Sequence, residues 1–155
     1  MVRFLIASDS LYVRKRLKFV IGLHSGWIVC GETGNGLKAV LLANELKPDL
    51  VILDLAIPML DGLRAAGEIS KILPKVPIVI YSPVAVPHQD FPANAPGVWA
   101  MVSQFENEES LIEILERLLQ QGAPRVETES NPFTQTQTRG ETQAAPAPDP
   151  AQESE

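Results

Sequence analysis

The stretch Pro48-Asp-Leu-Val-Ile-Leu-Asp-Leu-Ala-Ile-Pro-Met-Leu-Asp-Gly62 decides the fold of this chain. It contains the continuous apolar run Leu50 to Leu53, which is typical of a strand buried on both faces of a sheet. The run ends at Asp54, and a loop from Ala56 to Asp61 leads to a helix predicted from Gly62 to about Leu73. Because a buried strand followed by a helix is the repeating unit of parallel sheets, the stretch predicts one such unit with a carboxylate at the strand end.

The same alternation of short apolar runs and longer amphipathic runs extends to both sides. Further strands are predicted at Phe4–Ala7, Trp27–Cys30, Pro77–Tyr81 and Val98–Val102, and further helices at Leu11–Ile21, after Gly36 and after Asn107. The inner face of the second helix is assigned to Leu37, Val40 and Leu41, and that of the last helix to Leu111, Ile114, Leu115 and Leu118. The pattern predicts an α/β fold, a parallel sheet with helices on both faces and its site at the carboxyl ends of the strands.

The segment between the fourth and fifth strands is rich in proline, at positions 83, 87, 92 and 96. Proline removes a backbone donor and clashes with the preceding helical turn. A helix at this place is therefore predicted to be short or absent. His88, in the same segment, is interpreted as a solvated loop residue.

The last 34 residues, from Gly122 to Glu155, differ in composition from the rest of the 155-residue chain. They contain five prolines, six acids and two arginines, and only Val126 and Phe133 as larger apolar residues. So little apolar area cannot offset the entropy of ordering the backbone. We expect residues 1–121 to form the domain and residues 122–155 to be a disordered acidic tail, with no room for a DNA-binding domain.

The overall charge excludes several classes of function. Thirteen basic and nineteen acidic residues give a net charge of −6, the wrong sign for binding phosphate backbones or an anionic membrane. No apolar run approaches a membrane span, and the single cysteine, Cys30, cannot form an intramolecular disulfide. We therefore expect a cytoplasmic protein that binds neither nucleic acid nor membrane directly.

Three segments together resemble the receiver domains of response regulators in two-component signalling. They are Phe4-Leu-Ile-Ala-Ser-Asp-Ser-Leu-Tyr-Val-Arg14, the stretch from Pro48 to Gly62, and Pro77-Ile-Val-Ile-Tyr-Ser82. The second is the most specific, with Pro four residues after Asp54 and Asp-Gly at seven and eight. The resemblance implies a flavodoxin-like doubly wound sheet of five parallel strands in the order 2-1-3-4-5.

The resemblance also implies the site residues. Asp54 would be the phosphoacceptor, Asp9 a second carboxylate on Mg²⁺, and the carbonyl of Ala56 a further metal ligand. Ser82 would be the hydroxyl that turns inward to the phosphoryl group, or else a strand-end serine bonded to nearby backbone. The chemistry agrees, because phosphoryl transfer needs mainly positioning and neutralised charge. Oxygen ligands with retained water suit Mg²⁺.

This chain departs from the family pattern at three places. Ser8 replaces the first of two adjacent acids, and the fifth strand ends Met101-Val-Ser-Gln104 where the family has a lysine. Pro83 follows the switch hydroxyl and has no N–H to donate. Trp99 is interpreted either as the aromatic partner of that hydroxyl or as a core or surface residue. These departures predict a weakened metal and phosphoryl site.

Two functions remain open from the sequence. One is a stand-alone receiver that takes a phosphoryl group from a histidine kinase or phosphotransfer protein and acts by contact with a downstream protein. The alternative is a pseudo-receiver that binds partners independently of phosphorylation. An independent enzyme is not expected, since Gly31–Ala39 fails as a phosphate loop and Ala56 lacks the second acid of an Asp-x-Asp phosphohydrolase. The basic run Arg14–Lys18 is either a solvated face or a docking surface for the kinase.

Overall fold

A computed structural model of the chain describes residues 1–84 and 95–121. Its elements follow in the order β1 (Val2–Ala7), α1 (Leu11–Leu23), β2 (Trp27–Thr33), α2 (Gly36–Leu46), β3 (Leu50–Asp54), α3 (Gly62–Ile72), β4 (Ile78–Ser82), β5 (Val98–Ser103) and α4 (Glu108–Gln121). The chain divides into two units, Met1–Pro124 and Arg125–Glu155. The second unit, and with it the predicted disordered tail, lies outside the described residues.

The five strands form one parallel sheet in the order β2-β1-β3-β4-β5. The predicted flavodoxin-like fold is therefore confirmed. β3, the strand that ends at Asp54, is the central strand of the sheet, and every one of its residues is buried. Central strands lose water from both faces, which explains the uninterrupted apolar run that precedes Asp54.

The helices cover the sheet in two pairs. On one face, α1 and α4 pack on side chains such as Phe4, Ile52 and Tyr81, and on the other face α2 and α3 pack on Leu5, Leu53 and their neighbours. Successive residues of a strand point to opposite faces, so even-numbered residues of β1 and β3 face α1 and α4. Ser8, directly after β1, and Asp54, the last residue of β3, belong to the same even-numbered set.

Helix α4 shows the packing that the sequence predicts for the last helix. Asn107 Oδ1 accepts a hydrogen bond from Ser110 N at 2.8 Å, so the residue caps the first turn. Leu111, Leu115 and Leu118 are buried against the sheet, and Ile114 packs beside them half-buried. This predicted stripe is confirmed.

The predicted inner face of α2 is wrong in part. Leu37 and Leu41 are exposed, at 49% and 63%, whereas Ala39 and Ala43 are fully buried. Val40 is half-buried and packs at the margin of the core. The core cluster that α2 shares with α3 contains the buried alanines 39, 43, 65 and 66, so small residues form the packed face. Apolar spacing alone does not distinguish that face.

Two predictions concern the segment between β4 and β5. The short or absent helix and the loop residue His88 fall on residues 85–94, which lie outside the described residues. The described flanks, Val84 and residues 95–97, contain no helix. In the described part of the chain, no helix has the length and apolar character required to cross a bilayer.

Candidate functional site

The buried polar side chains of the described residues are all at one edge of the sheet. They are Ser8, Thr33, Asp54 and Ser82, with exposures of 1%, 7%, 7% and 1%. Each stands at the carboxyl end of a strand or directly after it. Because burying polar groups costs free energy unless they are hydrogen-bonded, their concentration at this edge marks it as the candidate site.

Asp54 lies at the centre of this edge and accepts three hydrogen bonds. Its Oδ2 accepts from Ser8 Oγ at 2.9 Å and from Gln104 Nε2 at 3.3 Å, and its Oδ1 accepts from Ala56 N at 3.4 Å. The donors are a hydroxyl, a side-chain amide and a backbone amide. None of the salt bridges among the described residues includes Asp54, so neutral donors hold this carboxylate.

The motif residues Pro58, Asp61 and Gly62 after Asp54 each have a structural role. The carbonyl of Pro58 accepts from Gly36 N at 3.1 Å, which joins the loop to the start of α2. Asp61 caps α3 through Oδ1, which accepts from Arg64 N at 3.0 Å. A Cβ on Gly62 would clash with the backbone carbonyl of Asp54, so only glycine allows α3 to begin this close to the strand end.

Gln104 is the site residue that the sequence reading did not identify. Ser103, the residue before it, does not contact Asp54, and its Oγ accepts from Phe105 N at 3.1 Å. Gln104 continues the even-numbered positions Ala100 and Val102 of β5, which pack in the core cluster on the side of α1. Strand alternation was therefore the signal that could have located it.

The basic run on α1 is largely engaged within the domain. Arg14 Nη1 donates to the carbonyl of Ser8 at 2.6 Å, and Lys18 Nζ pairs with Glu32 at 2.8 Å. Arg16 donates to Tyr81 Oη at 3.0 Å, to the carbonyl of Glu106 at 2.7 Å and to that of Gln104. Both arginines brace loops of the candidate site, and docking by this basic run stays a prediction.

Asp9 and Ala56 are exposed at the same corner as Asp54. Asp9 follows Ser8, and Ala56 N contacts the acceptor carboxylate. Within residues 1–84 and 95–121, no group of three or more His, Cys, Asp or Glu side chains is arranged to hold a metal ion. Mg²⁺ keeps several waters and needs few protein ligands, so the oxygen donors expected at this corner are of the right chemical type. Their assignment as Mg²⁺ ligands stays a prediction.

Ser82 is buried at the end of β4, and its Oγ accepts from Val84 N at 3.2 Å across Pro83. This bond uses a lone pair of the hydroxyl and leaves its proton for donation. The structure thus places Ser82 at the correct edge and bonds it to neighbouring backbone. Its assignment as a switch hydroxyl stays a prediction.

Trp99 does not lie near Ser82. It is the second residue of β5 and lines a cleft with Val2, Asp49 and Pro77, at the amino ends of the strands. The assignment of Trp99 as the aromatic partner is wrong, because side chains at opposite ends of a parallel sheet cannot meet.

The aromatic side chain beside Asp54 is instead Tyr81, its register partner on β4. Tyr81 is 1% exposed, and burial raises the pKa of its phenol above the usual 10.0. The charge and hydrogen bond of Arg16 act in the opposite direction and lower that pKa. The phenol is thus a neutral group within a hydrogen-bonded cluster of Arg16, Tyr81 and Gln104.

Comparisons with known proteins agree with this geometry. The model of the response regulator receiver domain family matches residues 4–116. Chemotaxis protein CheY of Thermotoga maritima is 41% identical over 80 residues, which are 52% of this chain and 66% of CheY. The response regulator domain of Thermotoga maritima CheB shares the fold with a TM-score of 0.65 and 27% identity, over 76% of this chain and 93% of that domain.

Some relatives are much longer proteins. A protein-glutamate methylesterase/protein-glutamine glutaminase of Alkalilimnicola ehrlichii is 38% identical over 81 residues, or 52% of this chain. The matched region spans only 20% of that relative. The similarity therefore concerns the domain with the candidate site, and the activity of the longer protein is not transferred by it.

Proposed function

Because the chain belongs to the family of response regulator receiver domains of two-component signalling, we propose that Asp54 accepts a phosphoryl group from a phosphohistidine of a histidine kinase or phosphotransfer protein. The observation that carries this proposal is the buried Asp54 carboxylate, which three donors hold at the end of the central strand. As part of the same proposal, the reaction occurs in the cytoplasm, where the lone thiol of Cys30 stays reduced.

In the proposed reaction, one oxygen of Asp54 attacks the phosphorus of phosphohistidine. A P–O bond forms, the P–N bond breaks, and the imidazole leaves with its electron pair and takes up a proton. Asp9, Asp54 and the carbonyl of Ala56 would hold Mg²⁺, which when bound neutralises charge on the transferred oxygens. The hydroxyl of Ser82, now bonded to Val84 N, would then rotate and donate a hydrogen bond to the phosphoryl group.

The proposed partner docks on α1, the helix that the resemblance implies for this contact. Tyr12, Phe19 and Leu23 are 75%, 60% and 56% exposed and recur at helical spacing on one stripe. Lys15, also exposed, lies beside them. An apolar stripe with a cationic margin suits a partner helix with apolar and acidic residues. Output would follow by protein contact, and the protein itself would not act as an enzyme on other substrates.

The test is a calorimetric titration of beryllofluoride with Mg²⁺ into the full chain, its Asp54→Asn variant and a control, Asp49→Asn. Beryllofluoride mimics a phosphoryl group at equilibrium, so rapid hydrolysis does not obscure the result. We expect saturable binding to wild type and Asp49→Asn and none to Asp54→Asn. Incubation with phosphoramidate, a small P–N phosphodonor, should add the mass of one phosphoryl group under the same conditions.

A second candidate function is a pseudo-receiver that binds partners without phosphorylation. Two observations favour it: Ser82 Oγ is already bonded to Val84 N, and Gln104 rather than a cation contacts Asp54. Absence of both beryllofluoride binding and phosphoramidate labelling in a folded wild-type chain would select this alternative.

A further inference from the structure

Gln104 occupies the position next to Asp54 from which a donor can reach a phosphoryl group. Its Nε2 lies 3.3 Å from Asp54 Oδ2 and 3.5 Å from the carbonyl of Tyr81. An amide NH₂ has two donors, and both point toward acceptors at the carboxyl ends of β3 and β4. Its backbone is fixed as well, because Gln104 N donates to the carbonyl of Ser82 at 2.8 Å.

The two unusual residues at this site compensate each other in charge. Ser8 stands where the family has an acid, and the loop after β5 lacks the family's lysine, so one negative and one positive charge are missing together. The site keeps the net charge of the common pattern, carried here by Asp9 and Asp54. A carboxylate beside Asp54 without a cation would repel it, whereas the hydroxyl of Ser8 donates to it.

Arg16 fixes the backbone on both sides of Phe105. Its guanidinium donates to the carbonyls of Gln104 and Glu106 and to Tyr81 Oη. A planar guanidinium with several rigid donors can hold such a set of acceptors in one orientation. The loop that carries Gln104 is therefore anchored to α1.

We propose that Gln104 binds an oxygen of the phosphoryl group on Asp54, in the place of the family's lysine, and that Arg16 positions it from α1. This inference rests on the proposed phosphoacceptor function. Ser103 is the rival for this role, since it also stands at the end of β5. It alternates with Val102, points to the opposite face, and bonds Phe105 N.

The experiment compares beryllofluoride affinity, with Mg²⁺ present, for wild type, Gln104→Met, Gln104→Lys and Ser103→Ala. Methionine keeps the length and volume of glutamine but has no donor. We expect Gln104→Met to bind at least about tenfold more weakly, the usual loss for a hydrogen bond to a charged group. Gln104→Lys should bind at least as tightly as wild type, and Ser103→Ala should stay within about twofold.

Arg16 is tested as a positioning residue by a double-mutant cycle. Arg16→Met should weaken beryllofluoride binding severalfold in the wild-type background and leave it unchanged in the Gln104→Met background. Equal weakening in both backgrounds would overturn the positioning role. Thermal unfolding of each variant shows that the compared chains are folded.

The outcomes separate this inference from the function on which it rests. If wild type binds no beryllofluoride, the phosphoacceptor function fails and the role of Gln104 fails with it. If wild type binds and Gln104→Met binds equally well, only the role of Gln104 is overturned. A loss confined to Ser103→Ala would transfer that role to Ser103.

Discussion

At the residue scale, Asp54 is a buried carboxylate held by neutral donors. Ser8 and Gln104 share its Oδ2, and Ala56 N contacts Oδ1. These hydrogen bonds satisfy lone pairs of the Asp54 carboxylate but do not neutralise its charge as a cation would. Substitutions that add charge at this place should consequently have larger effects than substitutions that only remove a bond.

Replacement of Ser8 by Asp tests this balance. A second buried carboxylate beside Asp54 should lower the free energy of unfolding by about 1–3 kcal/mol in EDTA at neutral pH, since like charges repel at short distance. Saturating Mg²⁺ should recover most of that loss. Urea denaturation with Mg²⁺ and with EDTA measures both effects.

Ser8→Ala is the matched control for this substitution. It removes the bond to Asp54 without adding charge, so we expect a loss of about 1 kcal/mol relative to wild type that is the same in EDTA and in Mg²⁺. If Ser8→Asp were as stable as wild type in EDTA, the charge compensation at the site would be disproved.

Tyr81 gives a prediction on pH. Burial raises the pKa of its phenol in the folded chain, so the unfolded chain loses this proton first as the pH passes 10.0. Its contribution to stability is therefore complete below the unfolded pKa and is lost as the pH rises through the folded pKa. Urea denaturation should show that the free energy of unfolding of wild type falls relative to that of Tyr81→Phe as the pH rises through this range. Parallel pH curves for the two chains would contradict the shift.

Arg16 should oppose that shift, because its charge and hydrogen bond lower the pKa of Tyr81. In Arg16→Met, the phenol should titrate at higher pH than with Arg16 present. Tyrosinate absorbance in a Tyr12→Phe background reports Tyr81 alone, since the chain has two tyrosines. An unchanged pKa in the Arg16 variant would show that the guanidinium does not act on this phenol.

At the element scale, α2 shows that spacing identifies a helix more reliably than its buried face. Leu37 and Leu41 recur at helical spacing, yet the helix buries the alanines 39 and 43. A Cβ on Gly36 would clash with the backbone carbonyl of Leu60, so the helix begins in close contact with the loop before α3. Close approach selects small residues, and the larger side chains are left outside.

Substitutions on α2 distinguish these faces. Ala43→Leu should destabilise the domain by about 1–3 kcal/mol, because Ala43 is fully buried and the larger side chain would have to displace its neighbours. Leu41→Ala should change the free energy of unfolding by no more than about 0.5 kcal/mol, since Leu41 is 63% exposed. Chemical denaturation measures the free energy of unfolding of both variants. A larger loss in Leu41→Ala than in Ala43→Leu would show that the face predicted from spacing is the buried one.

At the scale of the whole molecule, the parallel sheet brings distant segments to one corner. Asp9 follows β1, Asp54 ends β3, and Gln104 follows β5. The strand order places β3 between β1 and β4, so Asp54 receives neighbours from both sides. Topology, rather than local sequence, creates the candidate site.

Mg²⁺ should accordingly stabilise the folded domain through Asp9. At a concentration of about ten times the Kd, binding to the folded state alone adds about 1.4 kcal/mol to the free energy of unfolding. Asp9→Asn should abolish most of this increment. Asp49→Asn should retain it, because Asp49 lies at the other end of the sheet, where its Oδ2 accepts from Arg3 N at 2.8 Å. An equal Mg²⁺ effect in Asp9→Asn and wild type would remove Asp9 from the metal site.

The sequence by itself determined the alternation of strands and helices, the central strand that ends at Asp54, and the family. These features depend on local patterns, namely the continuous apolar run, the loop motif up to Gly62 and the capped stripe of the last helix. Each reflects burial or backbone geometry within a few residues of the chain, which is why a single sequence reveals them.

Only the tertiary structure decided which side chains meet. In the folded chain, Gln104 contacts Asp54, and Arg16 bonds to Tyr81 and to the loop after β5. The alanines of α2 are buried, and Trp99 lies at the opposite end of the sheet. Such contacts join residues as many as 90 positions apart, as between Arg16 and Glu106. They depend on strand register and on the distance between layers, and neither quantity is encoded in the spacing of residues along the chain.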